Sequence, residues 1–213
     1  MFAVLVAISA LSVGLQLGKW VVVGKIGAYF LVWNLFLAWL PMILSTAIWG
    51  VCRRRRSGNG LFVGLLACLW LLFFPNAPYL VTDLEHIGKA TGAPAWYDAL
   101  TYFCYGLAGL LLGFTSLRQL QSLLVERVGA GMSWVFVVTV TVLSAFGTYL
   151  GRVLRWNSWD VLREPSALGW DIWVRLSAPW EHPHTVAFTV LFGGVLLLAY
   201  VAFVLFPRLE RVE

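Results

Sequence analysis

Apolar residues run along this chain in six blocks separated by short polar stretches: Phe2 to Leu17, Ile26 to Val51, Leu61 to about Leu80, Tyr97 to Leu117, Met132 to Leu154 and Val186 to Phe206. A bilayer core about 30 Å thick needs about 20 apolar residues in a helix, so each block predicts a transmembrane helix. The blocks are continuous, whereas a barrel strand alternates apolar and polar residues over about ten positions, so strands are not expected. No Lys or Arg precedes the first block, and Gly18 and Lys19 follow it in place of an A-x-A cleavage site, so it reads as a retained span. The expectation is an all-α, polytopic membrane helix bundle with six transmembrane helices, forming one integral membrane domain over residues 1–213.

Composition agrees with the pattern, because 61% hydrophobic and 12% charged residues depart far from the roughly 45–50% and about 25% of soluble domains. Charge then sets the orientation. Basic residues in short loops stay cytoplasmic, so Arg53, Arg54, Arg55 and Arg56 place the loop between the second and third helices inside. Six spans then put both termini inside. Eight arginines against three glutamates give the inner side a net +5, while seven basic and seven acidic residues cancel on the outer side. The four arginines therefore read as a topology and anionic-lipid anchor, and nucleic acid is not an expected partner. Cys52, Cys68 and Cys104 fit neither a disulfide framework nor a CxxC metal motif.

The last outer loop, Gly151 to Thr185, holds Trp156, Trp159, Trp170, Trp173 and Trp180, five of the twelve tryptophans. Tryptophan favours the headgroup level, so the loop is expected to carry short interfacial helices, one started by Asn157 or Ser158 and another by Pro165 and Ser166. An aromatic belt that merely anchors the protein fits the same composition. Gly14 and Gly18, Gly109 and Gly113, and Gly147 and Gly151 have the small-xxx-small spacing that lets helix backbones approach closely.

The third block is more informative. From Leu61 to Phe74 there are 14 residues, enough for about 21 Å of helix, short of the roughly 30 Å core. Pro75 and Pro78 follow and disfavour helical geometry at Phe74 and Ala77. The break is expected in the outer third of the membrane, with Asn76 supplying a partner to a freed carbonyl.

All three histidines and seven of the ten acids lie on the outer side, so chemistry is expected there. If helix resumes after the prolines, Asp83 and His86 share a face, as do Thr82 and His86. At the end of the fifth block Tyr149, Arg152 and Trp156 share a face, with Arg155 beside Arg152 and with Asn157 and Asp160 following. The simplest pairing sets Arg152 or Arg155 against Asp83 or Glu85, because a buried arginine needs a carboxylate.

Two readings of these residues stand side by side. In one, Asp83, His86 and Glu85 are acid/base groups, and Asn76, Tyr79, Arg152, Arg155, Asn157 and Asp160 bind substrate. His86, His182, His184 and Asp83 would then offer ligands to a divalent metal such as zinc. In the other, the same groups form a hydrogen-bonded network that fixes the helix ends.

The stretches FPNAPYLVTDLEH (Phe74 to His86) and GTYLGRVLRWNSWD (Gly147 to Asp160) resemble the signature segments of an uncharacterised bacterial membrane family, domain of unknown function 1361. The matching positions are Pro75, Asn76, Pro78, Tyr79, Asp83, His86, Arg152, Arg155, Trp156, Asn157, Ser158, Trp159 and Asp160; His182 and His184 lie outside them. The resemblance implies a bacterial cytoplasmic-membrane protein and no particular reaction. Three function classes follow: an outward-facing enzyme on a lipid or envelope precursor, with an anionic headgroup held by arginine; a structural or accessory membrane protein; and, with less support, a transporter, since only one span is visibly broken.

Overall fold

The computed structural model describes residues 1–24, 29–54, 60–87 and 93–209. Arg55, Arg56, Lys25 and Lys89, all used in the charge argument, lie outside the described residues. Every element described is helical: α1 (Phe2–Val23), α2 (Phe30–Arg53), α3 (Gly60–Phe73), α4 (Asn76–Thr82), a 3-10 turn (Asp83–His86), α5 (Ala95–Arg152), α6 (Asp160–Arg163), α7 (Pro165–Ser177), a second 3-10 turn (Pro179–Glu181) and α8 (Pro183–Leu209). Five helical stretches among them are long and apolar enough to cross a membrane.

Several expectations change. Lys19 was expected in a loop, but α1 continues to Val23 before Gly24 ends it with φ 69°, so the lysine sits inside the helix. The polar segment from Arg118 to Gly131 was expected as a loop, yet it is helical within α5, which runs 58 residues with one interruption at Gly129 (φ 85°, ψ 170°). That conformation is nearly exclusive to glycine. Ala77 stays helical although Pro78 follows it: Pro78 is the third residue of α4, where its missing N–H has no intrahelical role to lose. Trp156 does not share a helical face with Arg152, because α5 ends at Arg152 and Arg155 turns left-handed (φ 65°).

The chain forms two compact units, Met1–Leu120 and Gln121–Glu213, with α5 contributing to both. In the first, α2 packs on α3 and α4. The 95–120 part of α5 runs antiparallel to α3 and α4: the Trp70 indole N–H donates to Ser116 Oγ (3.2 Å), and farther along Gly106 lies against Val81. Gly109 and Gly113 make this approach possible, since a Cβ at Gly113 would stand 3.1 Å from Ala77 Cβ and one at Gly109 would land on the Ala77 carbonyl oxygen. The expected packing role holds for this pair. Gly14 instead faces open space. Leu5, Leu31, Leu35, Ala38, Leu80, Tyr105 and Leu112 fill the core between these helices.

In the second unit the 130–152 part of α5 and α8 run antiparallel. The Trp134 and Tyr200 rings meet at 6.1 Å near one end, and those of Tyr149 and Phe188 meet at 5.8 Å near the other. Gly193 lies between these contacts, where an added Cβ would stand 3.4 Å from Ala145 Cβ. The buried Tyr200 hydroxyl donates to Gln121 Oε1 at 2.7 Å. Pro165 opens α7, as its fixed φ favours, whereas the shorter α6 starts at Asp160 rather than at Asn157 or Ser158.

Candidate functional site

The proline break builds the site in the first unit. Pro75 and Pro78 cannot donate to the helix ladder, and the Ala77 amide bonds to Phe74 O (3.1 Å) rather than to Phe73. The Phe73 carbonyl takes the Asn76 side-chain amide instead, at 3.0 Å. The expected partner is the observed one. Chain continuity is thus kept through a kink, and α4 carries Asp83 and His86 to the end of the unit away from Arg53 and Arg54.

Asp83 is fully buried there, and its Oδ2 accepts a 3.1 Å hydrogen bond from Asn34 Nδ2 of α2. His86 Nδ1 lies 3.2 Å from the Asp83 backbone carbonyl. A carbonyl only accepts, so in this contact Nδ1 carries the proton and, in the neutral ring, Nε2 carries the lone pair. The imidazole packs on two aromatic rings: it lies near-parallel to that of Tyr102 at 6.3 Å and tilted against that of Phe30 at 5.3 Å. Glu85 is exposed and His86 half-buried, while Thr82 donates back to Tyr79 O at 2.7 Å.

One turn of α5 from Tyr102, Lys19 Nζ meets Asp98 Oδ1 at 2.6 Å with both residues buried. Beside them the Tyr97 hydroxyl donates to Leu15 O (2.7 Å) and packs against Gly18. Sequence reasoning missed Asn34, Lys19, Asp98 and Tyr102. Asn34 carried a usable signal as the only carboxamide in the Ile26 to Val51 block, where a polar group is expensive. Lys19 and Asp98 carried another, as opposite charges at the same ends of two apolar blocks.

The second signature segment lies in the second unit and forms its own cluster. Trp156 Nε1 donates to Asp171 Oδ2 (2.8 Å), and the other oxygen of Asp171 takes Arg175 at 3.2 Å. Asn157 gives both its backbone N–H (2.7 Å) and its side-chain amide (3.2 Å) to Asp160 Oδ2, so these two residues close the turn between α5 and α6. Arg152 is half-buried and Arg155 exposed. Of the four residues expected to bind a metal, Asp83 and His86 belong to the first unit and His182 and His184 to the second. Among the described residues no three His, Cys, Asp or Glu side chains gather closely enough to hold an ion.

Long apolar helices, with large hydrophobic side chains such as Val21, Leu61, Leu191 and Leu198 turned outward and Lys19, Asp83 and Asp98 buried, define a multi-pass membrane protein. Residues 33–199 match the model of the family described as Protein of unknown function (DUF1361), and the chain belongs to that family. The matched range contains both signature segments, Asn34 and Asp98, and leaves Lys19 outside. No curated protein and no solved structure matches the chain.

Proposed function

We propose that the chain is a bacterial cytoplasmic-membrane protein that crosses six times, with both termini cytoplasmic, and acts at its outer face as an enzyme on a lipid or envelope precursor. A straight α5 of 58 residues would measure about 87 Å, nearly three times a core of about 30 Å. A reversal at Gly129 makes it two spans. The Trp-rich segment of α6 and α7 then lies at the outer headgroups, with Trp170, Trp173 and Leu176 exposed.

One observation carries the reading: the His86 imidazole packs against the Phe30 and Tyr102 rings with its Nδ1 against the Asp83 carbonyl. That arrangement fixes the ring and leaves Nε2 as a base of defined tautomer. His86 is the general base in this proposal, and the exposed Glu85 is the second acid/base group. Asp83, fully buried, is a positioning residue that holds the 3-10 turn through Asn34. Asn76 and Tyr79 are the substrate contacts proposed in the first unit; in the second, taken by itself, Asn157 and Asp160 hold the turn that carries Arg155. Arg152 and Arg155 supply guanidinium groups suited to an anionic headgroup.

The complete burial of Asp83 also favours a second reading, a structural or accessory membrane protein whose polar end stabilises the bundle. His86→Ala separates the two. In a strain lacking the chromosomal copy, the enzyme reading expects loss of complementation with an unchanged melting temperature in detergent. A variant that complements fully ends the enzyme reading, and one that melts early and fails supports the structural one.

A further inference from the structure

The second unit buries hydroxyls that none of its described residues satisfies. Ser144, Thr148 and Thr185 are 1%, 0% and 4% exposed, and among the described residues neither their hydroxyls nor that of Thr189 has a hydrogen-bond partner. A serine or threonine within a helix can turn its hydroxyl back onto the carbonyl three or four residues earlier. Others in the same unit do so, Ser133 onto Ala130, Thr139 onto Val135 and Thr141 onto Val137. These four do not.

Their positions are related. The contacts of Trp134 with Tyr200, Ala145 with Gly193 and Tyr149 with Phe188 fix the antiparallel register of the 130–152 helix against α8. In that register Arg152 falls opposite Thr185, Thr148 opposite Thr189 and Ser144 opposite Gly193. Ser144, Thr148 and Arg152 recur every four residues on one helix, and Thr185 and Thr189 do so on the other. The hydroxyls therefore line one seam that begins at the Arg152 end and runs inward for about 12 Å. Gly193 draws the backbones together at its inner end, where an added Cβ would also meet Thr141 O and Val142 Cα, each at 3.7 Å.

We propose that this seam binds a short file of ordered water molecules bridging Thr185, Thr148, Thr189 and Ser144. The chemistry selects water over other occupants. An apolar guest would leave the hydroxyls as costly as before, and a cation would want a carboxylate, which neither 130–152 nor 183–200 contains. Water both donates and accepts, and polar buried sites of this kind are ordinarily hydrated. His182, whose Nε2 is likewise buried without a partner, stands at the outer end, three residues before Thr185. The file thus starts beside an imidazole and stops where Gly193 closes the helix pair.

A cycle of Thr148→Val and Thr189→Val in the full-length protein tests this. Valine keeps the shape and removes the hydroxyl. With shared water, each single variant lowers the melting temperature by about 2–4 °C, the double falls no further than the lower single, and Thr148→Ser stays at the wild-type value. Dry hydroxyls give the opposite result: valine raises or leaves unchanged the melting temperature and the two effects add, which overturns the proposal. If the valine variants do not fold, X-ray hydroxyl-radical footprinting of the wild type decides, because radicals generated from trapped water oxidise the neighbouring Tyr149 although it is only 7% exposed. An unmodified Tyr149 overturns the proposal equally.

Discussion

The ammonium of Lys19 stands 2.6 Å from Asp98 Oδ1, and the two side chains are only 6% and 3% exposed. This ion pair ties the end of α1 to the start of α5 beside the candidate site. Removing one partner of a buried pair leaves an uncompensated charge and costs about 3–5 kcal/mol, whereas replacing both with apolar residues can be neutral. Lys19→Met and Asp98→Asn should therefore each destabilise strongly, and Lys19→Met with Asp98→Leu should recover most of the loss. Equilibrium unfolding in a denaturing detergent reads this; equal stability of single and double variants would show that the pair does not hold α1.

Gly109 is where α4 comes nearest to α5. An added methyl collides with the Ala77 carbonyl oxygen and approaches Leu80 Cδ1 to 2.9 Å, and neither the backbone nor the kink behind it yields easily. Gly109→Ala should cost about 1–3 kcal/mol, the usual range for overpacking. Gly14→Ala meets nothing within 4 Å and should gain up to about 1 kcal/mol from helix propensity. Opposite signs for two members of the same sequence pattern would confirm that contact, and not spacing, decides the role of a glycine.

Asn76 gives a third test. Its side-chain amide is the donor to Phe73 O at the break. Asn76→Leu keeps the bulk and leaves that carbonyl unsatisfied, at a cost of about 1–3 kcal/mol. The loss should appear as early local opening around residues 73–79 in hydrogen exchange. Unchanged protection there would mean that the carbonyl finds another donor.

Much of this is legible in the sequence. The all-helical class, the break at Phe74 and Pro75 and the role of Asn76 follow from apolar run length and from the missing N–H of proline, both local properties; of the six apolar blocks read as separate spans, two fall within α5, leaving five helical stretches among the described residues. Partners were less legible. Lys19 was placed outside its helix because a charge ends an apolar run on a hydropathy count; a buried carboxylate on another helix reverses that cost, and run length holds no trace of it. The continuity of α5 through Arg118, Glu126 and Arg127 was missed for a related reason: polar residues lower hydropathy without lowering helix propensity, so a break in one is not a break in the other. Whether Asp83 touches substrate or only positions His86 depends on burial, which neither motif encodes.

Arg155 separates stability from function. It is the only non-glycine residue with positive φ among those described, at 65°, and the turn it makes lets the Trp156 amide reach Leu150 O at 3.1 Å. A side chain in the left-handed region costs roughly 1–2 kcal/mol that glycine does not incur. Arg155→Gly should therefore raise stability, by up to about 1 kcal/mol once the greater chain entropy of unfolded glycine is offset. If the guanidinium serves an anionic headgroup, the same variant should lose complementation, and Arg155→Lys should keep the strain and part of the function, because an ammonium retains charge without the planar fork. Strain held at a working residue is the pattern expected of a functional site. A variant that is both more stable and fully active would instead leave Arg155 as a turn residue and remove it from the proposed site.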